Sequence, residues 1–161
     1  MNKAELQTRN ENIATMMGWW KENGQPETWW TKNEIAQYVV YSEYKDNFKE
    51  MPFHKRYRFL MMAIEYIRQN IRKVHEVREK MKTEKILMIP GEVFIERFDI
   101  NLTHINITTA VWNGAEFEYF DERNQIKYEF GEKMIEAIFL AVSDLAEEIL
   151  LNKNEYASAT T

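Results

Sequence analysis

The feature that most constrains this chain is a change of hydrophobic period near residue 84. From Phe53 to Lys82 the sequence contains neither glycine nor proline, and its apolar residues recur at helical intervals. This pattern predicts one long amphipathic helix of about 45 Å, at about 1.5 Å per residue. The apolar stripe is irregular at Arg78, where Val77 substitutes if the helix rotates slightly. The last turns of such a helix would extend past a small sheet.

Beyond this segment the apolar residues follow the period of β-strands. Asn113 and Gly114 form a strong signal for a hairpin turn between two of these strands. An antiparallel meander is therefore predicted. Its strands are expected over Ile86–Ile89, Val93–Ile100, His104–Trp112 and Ala115–Phe120.

Further helices are predicted at both ends of the chain. Thr8 and Glu11 have the spacing of a capping box, and Gly18 is well placed to end the helix that follows, after Met17. A final helix is predicted after Gly131, through about Asn152, with apolar positions over more than half of its circumference. The tail from residue 154 to 161 is small and polar, and it and residues 1–7 are expected to be flexible.

Between the first helix and Pro52 the sequence predicts a hairpin and another helix. Two tryptophan pairs, at residues 19–20 and 29–30, flank the turn-forming residues Asn23 and Gly24. A second capping-box spacing at Thr31 predicts a helix that runs to about Phe48. The 161 residues therefore predict a single α+β domain, with an antiparallel sheet of about three to five strands, helices packed on it and a long central helix.

Charge is distributed unevenly along the chain. The net charge is −5, but residues 53–82 carry nine lysines and arginines against three glutamates, a net +6, so the rest of the chain carries −11. A basic segment thus lies between acidic flanks. The N-terminus lacks an apolar signal region, and no apolar run approaches the roughly 20 residues that span a bilayer. We expect a cytoplasmic protein that is neither exported nor inserted in a membrane.

Three segments resemble a family of small uncharacterised proteins of Bacteroidetes phages and prophages, which carry the phage ABA-sandwich domain. Ile13–Trp19 is similar to the family's Ile-Ala-x-Phe-Met-Gly-Trp. His54–Ile67 is similar in spacing to His-x-Ser-Trp-Asp-Trp-Leu-Met-Pro-Val-Val-Glu-x-Ile, and Ile135–Val142 resembles Ile-Glu-Ala-Val-Tyr-x-Ala-Val. The resemblance implies a layered helix–sheet–helix fold and a phage origin. It supplies no catalytic residues.

The chain departs from this family in its basic segment. Arg58 stands where the family has an aspartate, and Met62 replaces the family's proline. Both departures affect the helix that the resemblance places at this point, since one adds positive charge and the other removes a helix-breaking residue.

No motif predicts catalysis, a metal site or a cofactor. The sequence has no cysteine, and its three histidines lie outside every zinc-binding spacing. It has no glycine-rich phosphate loop, and none of its three serines lies in a nucleophile elbow. A protein that acts by binding is therefore expected, rather than an enzyme.

One candidate binding surface is the basic segment, since a helix start also favours anions. The alternative is a solvated face whose cations pair with carboxylates of the acidic C-terminal helix, which are Glu132, Glu136, Asp144, Glu147 and Glu148. The candidate residues for an anion or partner are His54, Lys55, Arg56, Arg58, Arg68, Arg72 and Lys73.

A second candidate surface is aromatic, comprising Trp19, Trp20, Trp29 and Trp30. Indole rings can stack on bases or anchor a protein partner. Because adjacent residues of a hairpin face opposite sides, at least one tryptophan of each pair is expected in the core.

These features favour a non-enzymatic phage accessory protein of the host cytoplasm that binds protein. The expected partner is a second copy of the chain, bound through the long helix, or another host or phage protein. The alternative is an anion-binding antidefence or regulatory protein that captures a nucleotide or nucleic acid through the basic segment.

Overall fold

The structure is a computed structural model that describes residues 1–21, 29–30, 52–54, 57–101, 104–119, 123–124 and 132–159. The predicted helix over Thr31–Phe48, the turn at Asn23 and Gly24, and residues Lys55 and Arg56 lie outside the described residues. The helices are α1 (Lys3–Met16), α2 (Tyr57–Gln69), α3 (Val74–Thr83) and α4 (Glu132–Ala159), with a 3-10 turn at Pro52–His54. The strands are β1 (Trp20–Lys21), β2 (Trp29–Trp30), β3 (Val93–Ile100), β4 (Ile105–Trp112), β5 (Phe117–Tyr119) and β6 (Arg123–Asn124).

An antiparallel sheet built on β4 forms the middle layer. β3 pairs with one edge of β4, and β5 and β6 pair with the other. The predicted turn at Asn113 connects β4 to β5, and its carboxamide oxygen accepts hydrogen bonds from the amides of Ala115 and Glu116 at 2.9 and 2.8 Å. Gly114 supplies the positive φ, +102°, that this turn requires. The predicted meander is confirmed for its last three strands, which are β3, β4 and β5. A separate antiparallel pair, β1 with β2, confirms the predicted first hairpin.

Each face of the main sheet has its own hydrophobic core, because successive side chains of a strand point to opposite faces. On one face, Ile95 and Phe98 belong to the larger core with α1, α2 and α4. On the other face, Phe94 packs in a smaller core with Val74 and Val77 of α3. The chain therefore has the helix–sheet–helix layering that was expected.

The long central helix predicted over Phe53–Lys82 is instead two helices, α2 and α3, and the longest helix is α4. The chain leaves the helical path at Asn70 and passes along the edge of β3. There Ile71 forms a parallel bridge with Ile95, and the Arg72 amide donates to the Ile95 carbonyl at 2.9 Å. Since α2 packs in the larger core and α3 in the smaller one, this break carries the chain across the sheet edge.

A β-bulge stabilises the break. The register of β3 shifts between Ile95 and Arg97, so Glu96 is the additional residue. Its carboxylate accepts a hydrogen bond from the Val74 amide at 2.7 Å, and its carbonyl accepts one from Lys73 Nζ at 2.5 Å. A capped helix start is worth about 1 kcal/mol over an uncapped one. Glu96 therefore caps α3 from a distant strand, which no local sequence signal predicts.

The start of α1 also differs from the prediction. The Asn2 side chain accepts a hydrogen bond from the Glu5 amide at 2.8 Å and caps the helix, which begins at Lys3. The Thr8 hydroxyl, predicted to cap a later start, donates to the Ala4 carbonyl within the helix. Asn2 therefore caps the helix in place of Thr8, and both residue types are favoured at this position.

Gly18 ends α1 as predicted. Its φ is +79°, its amide donates to the Thr15 carbonyl, and the Trp19 amide donates to the Ala14 carbonyl, both at 3.0 Å. These two bonds define a Schellman motif, which requires the left-handed conformation at Gly18.

We expect Gly18→Ala to lower the free energy of unfolding by about 1 kcal/mol, because alanine is strained in that conformation. Apart from its chain neighbours, no described atom lies within 4 Å of a β-carbon placed at Gly18, so steric conflict with these residues adds nothing. Urea denaturation measures the change. Gly18→Asn is the control and should cost less, because asparagine tolerates positive φ. Wild-type stability of Gly18→Ala would contradict the expectation.

Two other boundaries differ from the prediction. α4 continues to Ala159 rather than ending near Asn152. The strand predicted over Ile86–Ile89 is wrong, since within the described residues this segment pairs with no strand.

Candidate interaction surface

His54, the first residue of the predicted anion site, packs inside the protein. It lies in the 3-10 turn, and its Nδ1 is 3.0 Å from the carboxamide nitrogen of Asn10. Asn10 is 0% exposed. Its ring centroid is 5.9 Å from that of Phe139 on α4. His54 therefore links α1 to α4 and the larger core.

Arg72 and Lys73 contact the neighbouring strand. Arg72 Nη1 lies 2.7 Å from Glu92 Oε1, and its guanidinium lies 4.2 Å above the centre of the Phe94 ring. Lys73 donates to the Glu96 carbonyl, as described above. Both cations stabilise the crossing between α2 and α3.

The other described members of the predicted site do not converge. Arg58 and Arg68 are exposed on α2 and ten residues apart, which corresponds to about 15 Å along a helix. Arg58 and Arg68 therefore do not share one anion pocket.

Two carboxylates of α4, Asp144 and Glu148, contact residues outside the basic segment. Arg9 of α1 donates to Ser143 Oγ at 2.8 Å and to Asp144 Oδ1 at 2.5 Å. Burial lowers the pKa of Arg9, but hydrogen bonds and charge from Asp144 and Glu5 outweigh it and hold that pKa above its ordinary value. Glu148 accepts a hydrogen bond from the Thr109 hydroxyl at 3.0 Å, in a buried contact between α4 and β4. These contacts fix α4 to α1 and to the sheet.

Trp19 is a core residue. Its side chain is buried, and its ring centroid lies 5.3 Å from that of Phe53. This confirms that one member of the first tryptophan pair enters the core. For Trp20, Trp29 and Trp30 the structure describes the backbone pairing alone, so their side chains lie outside the described residues.

Among the described residues, the most exposed large apolar side chain lies in the segment where a strand was predicted. Leu87 is 88% exposed, Ile89 is 61% exposed, and Met81 in the last turns of α3 is 36% exposed. Met88, between the first two, packs against the smaller core. The apolar residues of Ile86–Ile89 are the sequence feature that marks this surface. From the sequence alone, they predict a strand within the sheet.

Within the part of the chain that the structure describes, no helix is both long and apolar enough to cross a membrane. The same residues include no group of three or more histidines and carboxylates that could hold a metal ion.

These features define a small three-layer α+β protein that exposes an apolar, strand-like segment. No protein-family model, curated protein or solved structure matches the chain. The resemblance to the phage ABA-sandwich family therefore stays a prediction that rests on the three sequence segments.

Proposed function

We propose that this chain is a phage-encoded accessory protein that acts by binding protein, chiefly a second copy of itself, and catalyses no reaction. The observation that carries this proposal is the exposure of Leu87 and Ile89 on one segment. The phage origin rests on the sequence resemblance alone, and the absence of catalysis rests on the missing sequence motifs.

Burial of this segment would be favourable. Removing a leucine or isoleucine side chain from water contributes about 1.5 to 3 kcal/mol. Single exposed apolar residues are common on protein surfaces, but Leu87 and Ile89 are two residues apart and both exposed, so they form a continuous patch. The patch directly follows α3, which forms the C-terminal part of the basic segment. This part was expected to extend past the sheet and contact a partner.

Self-association is tested by size-exclusion chromatography with light scattering over a range of micromolar concentrations. We expect the mass to rise towards twice the 19.4 kDa of one chain as concentration increases. A compact monomer at every concentration would contradict the proposal. Raising the salt concentration should change the result little, because apolar burial is the main contribution.

A further inference from the structure

The segment Lys85–Ile89 has the side-chain alternation of a β-strand. Lys85, Leu87 and Ile89 are exposed, whereas Ile86 and Met88 are partly buried. This period of two places Leu87 and Ile89 on the outer side of the segment and Met88 against the smaller core. The side chains are therefore arranged as in a sheet, although no neighbouring strand is present among the described residues.

The backbone of this segment also lacks partners. Among the described residues, no hydrogen bond involves the backbone amides or carbonyls of residues 85–88. Ile89 makes a single local bond, from the Glu92 amide to its carbonyl at 3.0 Å. An apolar strand with unpaired backbone groups is a template for pairing with another chain.

We propose that Lys85–Ile89 pairs with the same segment of a second copy, antiparallel and about a two-fold axis at Leu87. This inference rests on the proposed self-association and specifies its interface. A two-fold interface brings the same patch of both subunits together, so Leu87 lies opposite Leu87, and Ile86 lies opposite Met88. Each strand then supplies backbone hydrogen-bond partners for alternate residues of the other.

The charges at the two ends of the segment favour a second copy in antiparallel orientation. Residues 80–85, at the α3 end, carry three lysines and one glutamate. At the other end Pro90 packs on the β4–β5 hairpin, where its Cγ is 3.6 Å from a β-carbon placed on Gly114. That hairpin exposes Glu116 and Glu118. Antiparallel pairing brings the basic end of each copy to the acidic end of the other, twice, whereas parallel pairing would bring like charges together.

A single introduced cysteine tests the geometry, because the chain has no cysteine of its own. In an antiparallel pair, directly opposite Cα atoms are about 4.5 to 5.5 Å apart, which is within the range that a disulfide spans. We expect Leu87→Cys to form a disulfide-linked dimer under mild oxidation of the folded protein. Leu151→Cys is the matched control, because Leu151 is 59% exposed but lies on α4 in the opposite layer. It should remain largely monomeric.

A charge substitution tests the energetics. Leu87→Glu places two carboxylates at the two-fold axis and removes the burial of two leucines, so the dimer dissociation constant should rise at least about a hundredfold. Leu151→Glu should leave it unchanged. Both side chains are exposed, so circular dichroism should show that both variants are folded. Amide hydrogen exchange of alternate residues in this segment, those whose N–H groups face the partner strand, should slow as the wild-type concentration rises.

The outcomes separate this interface from self-association in general. If the wild type dimerises but Leu87→Cys cross-links no faster than Leu151→Cys and Leu87→Glu still dimerises, the interface is elsewhere and only this inference fails. A monomer at every concentration overturns both the interface and the proposed function. Open-ended polymers also overturn the inference, because a two-fold contact closes at two copies.

Discussion

Truncating Phe94 to alanine is expected to lower the free energy of unfolding by about 3 to 5 kcal/mol, which is the usual range for a buried phenylalanine. Phe94 is 1% exposed, and its ring centroid lies 5.1 Å from that of Phe117. The Arg72 guanidinium lies 4.2 Å from the centre of the Phe94 ring. Removing the ring leaves a cavity in a core of few residues, against which Val74 and Val77 of α3 are packed. Chemical denaturation measures the loss.

The position of α3 distinguishes this effect from a general loss of stability. Phe98 lies on the same strand but packs in the larger core, so Phe98→Ala is the matched control. We expect Phe94→Ala to accelerate hydrogen exchange selectively in α3, and Phe98→Ala to accelerate exchange in the helices of the other layer. Equal exchange in α3 for the two variants would show that the two cores do not act separately.

A second large effect is expected from Asn10→Ala, at about 2 to 3 kcal/mol. Asn10 is completely buried, donates to the Leu6 carbonyl at 2.7 Å and contacts His54 Nδ1 at 3.0 Å. Alanine removes the contact between α1 and the 3-10 turn and leaves a small cavity beside a polar ring. Thermal or urea denaturation of the variant measures the loss.

Asn70→Ala is an internal control for this prediction. The Asn70 carboxamide makes the same kind of bond within its own helix segment, to the Tyr66 carbonyl at 2.8 Å, but Asn70 is exposed. Its substitution should change stability by less than about 0.5 kcal/mol, as is usual for surface positions. If the two variants lose equal stability, the contact between Asn10 and His54 does not stabilise the packing of α1 against the 3-10 turn.

Much of the fold could be predicted because it depends on local patterns. The strand predicted over Val93–Ile100 has the bounds of β3, and the Asn113 turn and the Gly18 helix end are formed by side chains and amides a few residues apart. Such signals are complete within a short window of sequence. Their agreement with the structure reflects chemistry that needs no distant partner.

The candidate site was less accessible to prediction because charge alone does not reveal what a side chain contacts. The basic composition of residues 53–82 suggested a common surface. In the structure His54 is packed beside Phe139, whereas Arg72 pairs with Glu92. Helical periodicity gives the face of a residue on its own helix, but the element opposite that face is fixed by the tertiary fold.

For the basic segment, the sequence predicted the two helical halves but not the break between them. Its apolar stripe determined that both halves are helical and amphipathic, and the irregularity at Arg78 marked a change of phase. The Arg78 guanidinium lies 5.6 Å from the centre of the Phe117 ring, while Val77 takes the buried position. The break itself is stabilised by Glu96 of β3, whose carboxylate accepts a hydrogen bond from the Val74 amide at the start of α3.

By itself the sequence determined an α+β chain with an antiparallel meander, because side-chain periodicity is local. Only the tertiary structure decided that α2 and α3 lie on opposite faces of the sheet, because a straight helix of about 45 Å cannot bury both halves against a sheet of eight-residue strands, about 26 Å long. The same crossing leaves Ile86–Ile89 outside the sheet. The apolar pattern of this segment predicts a strand, but within the described residues the segment pairs with none.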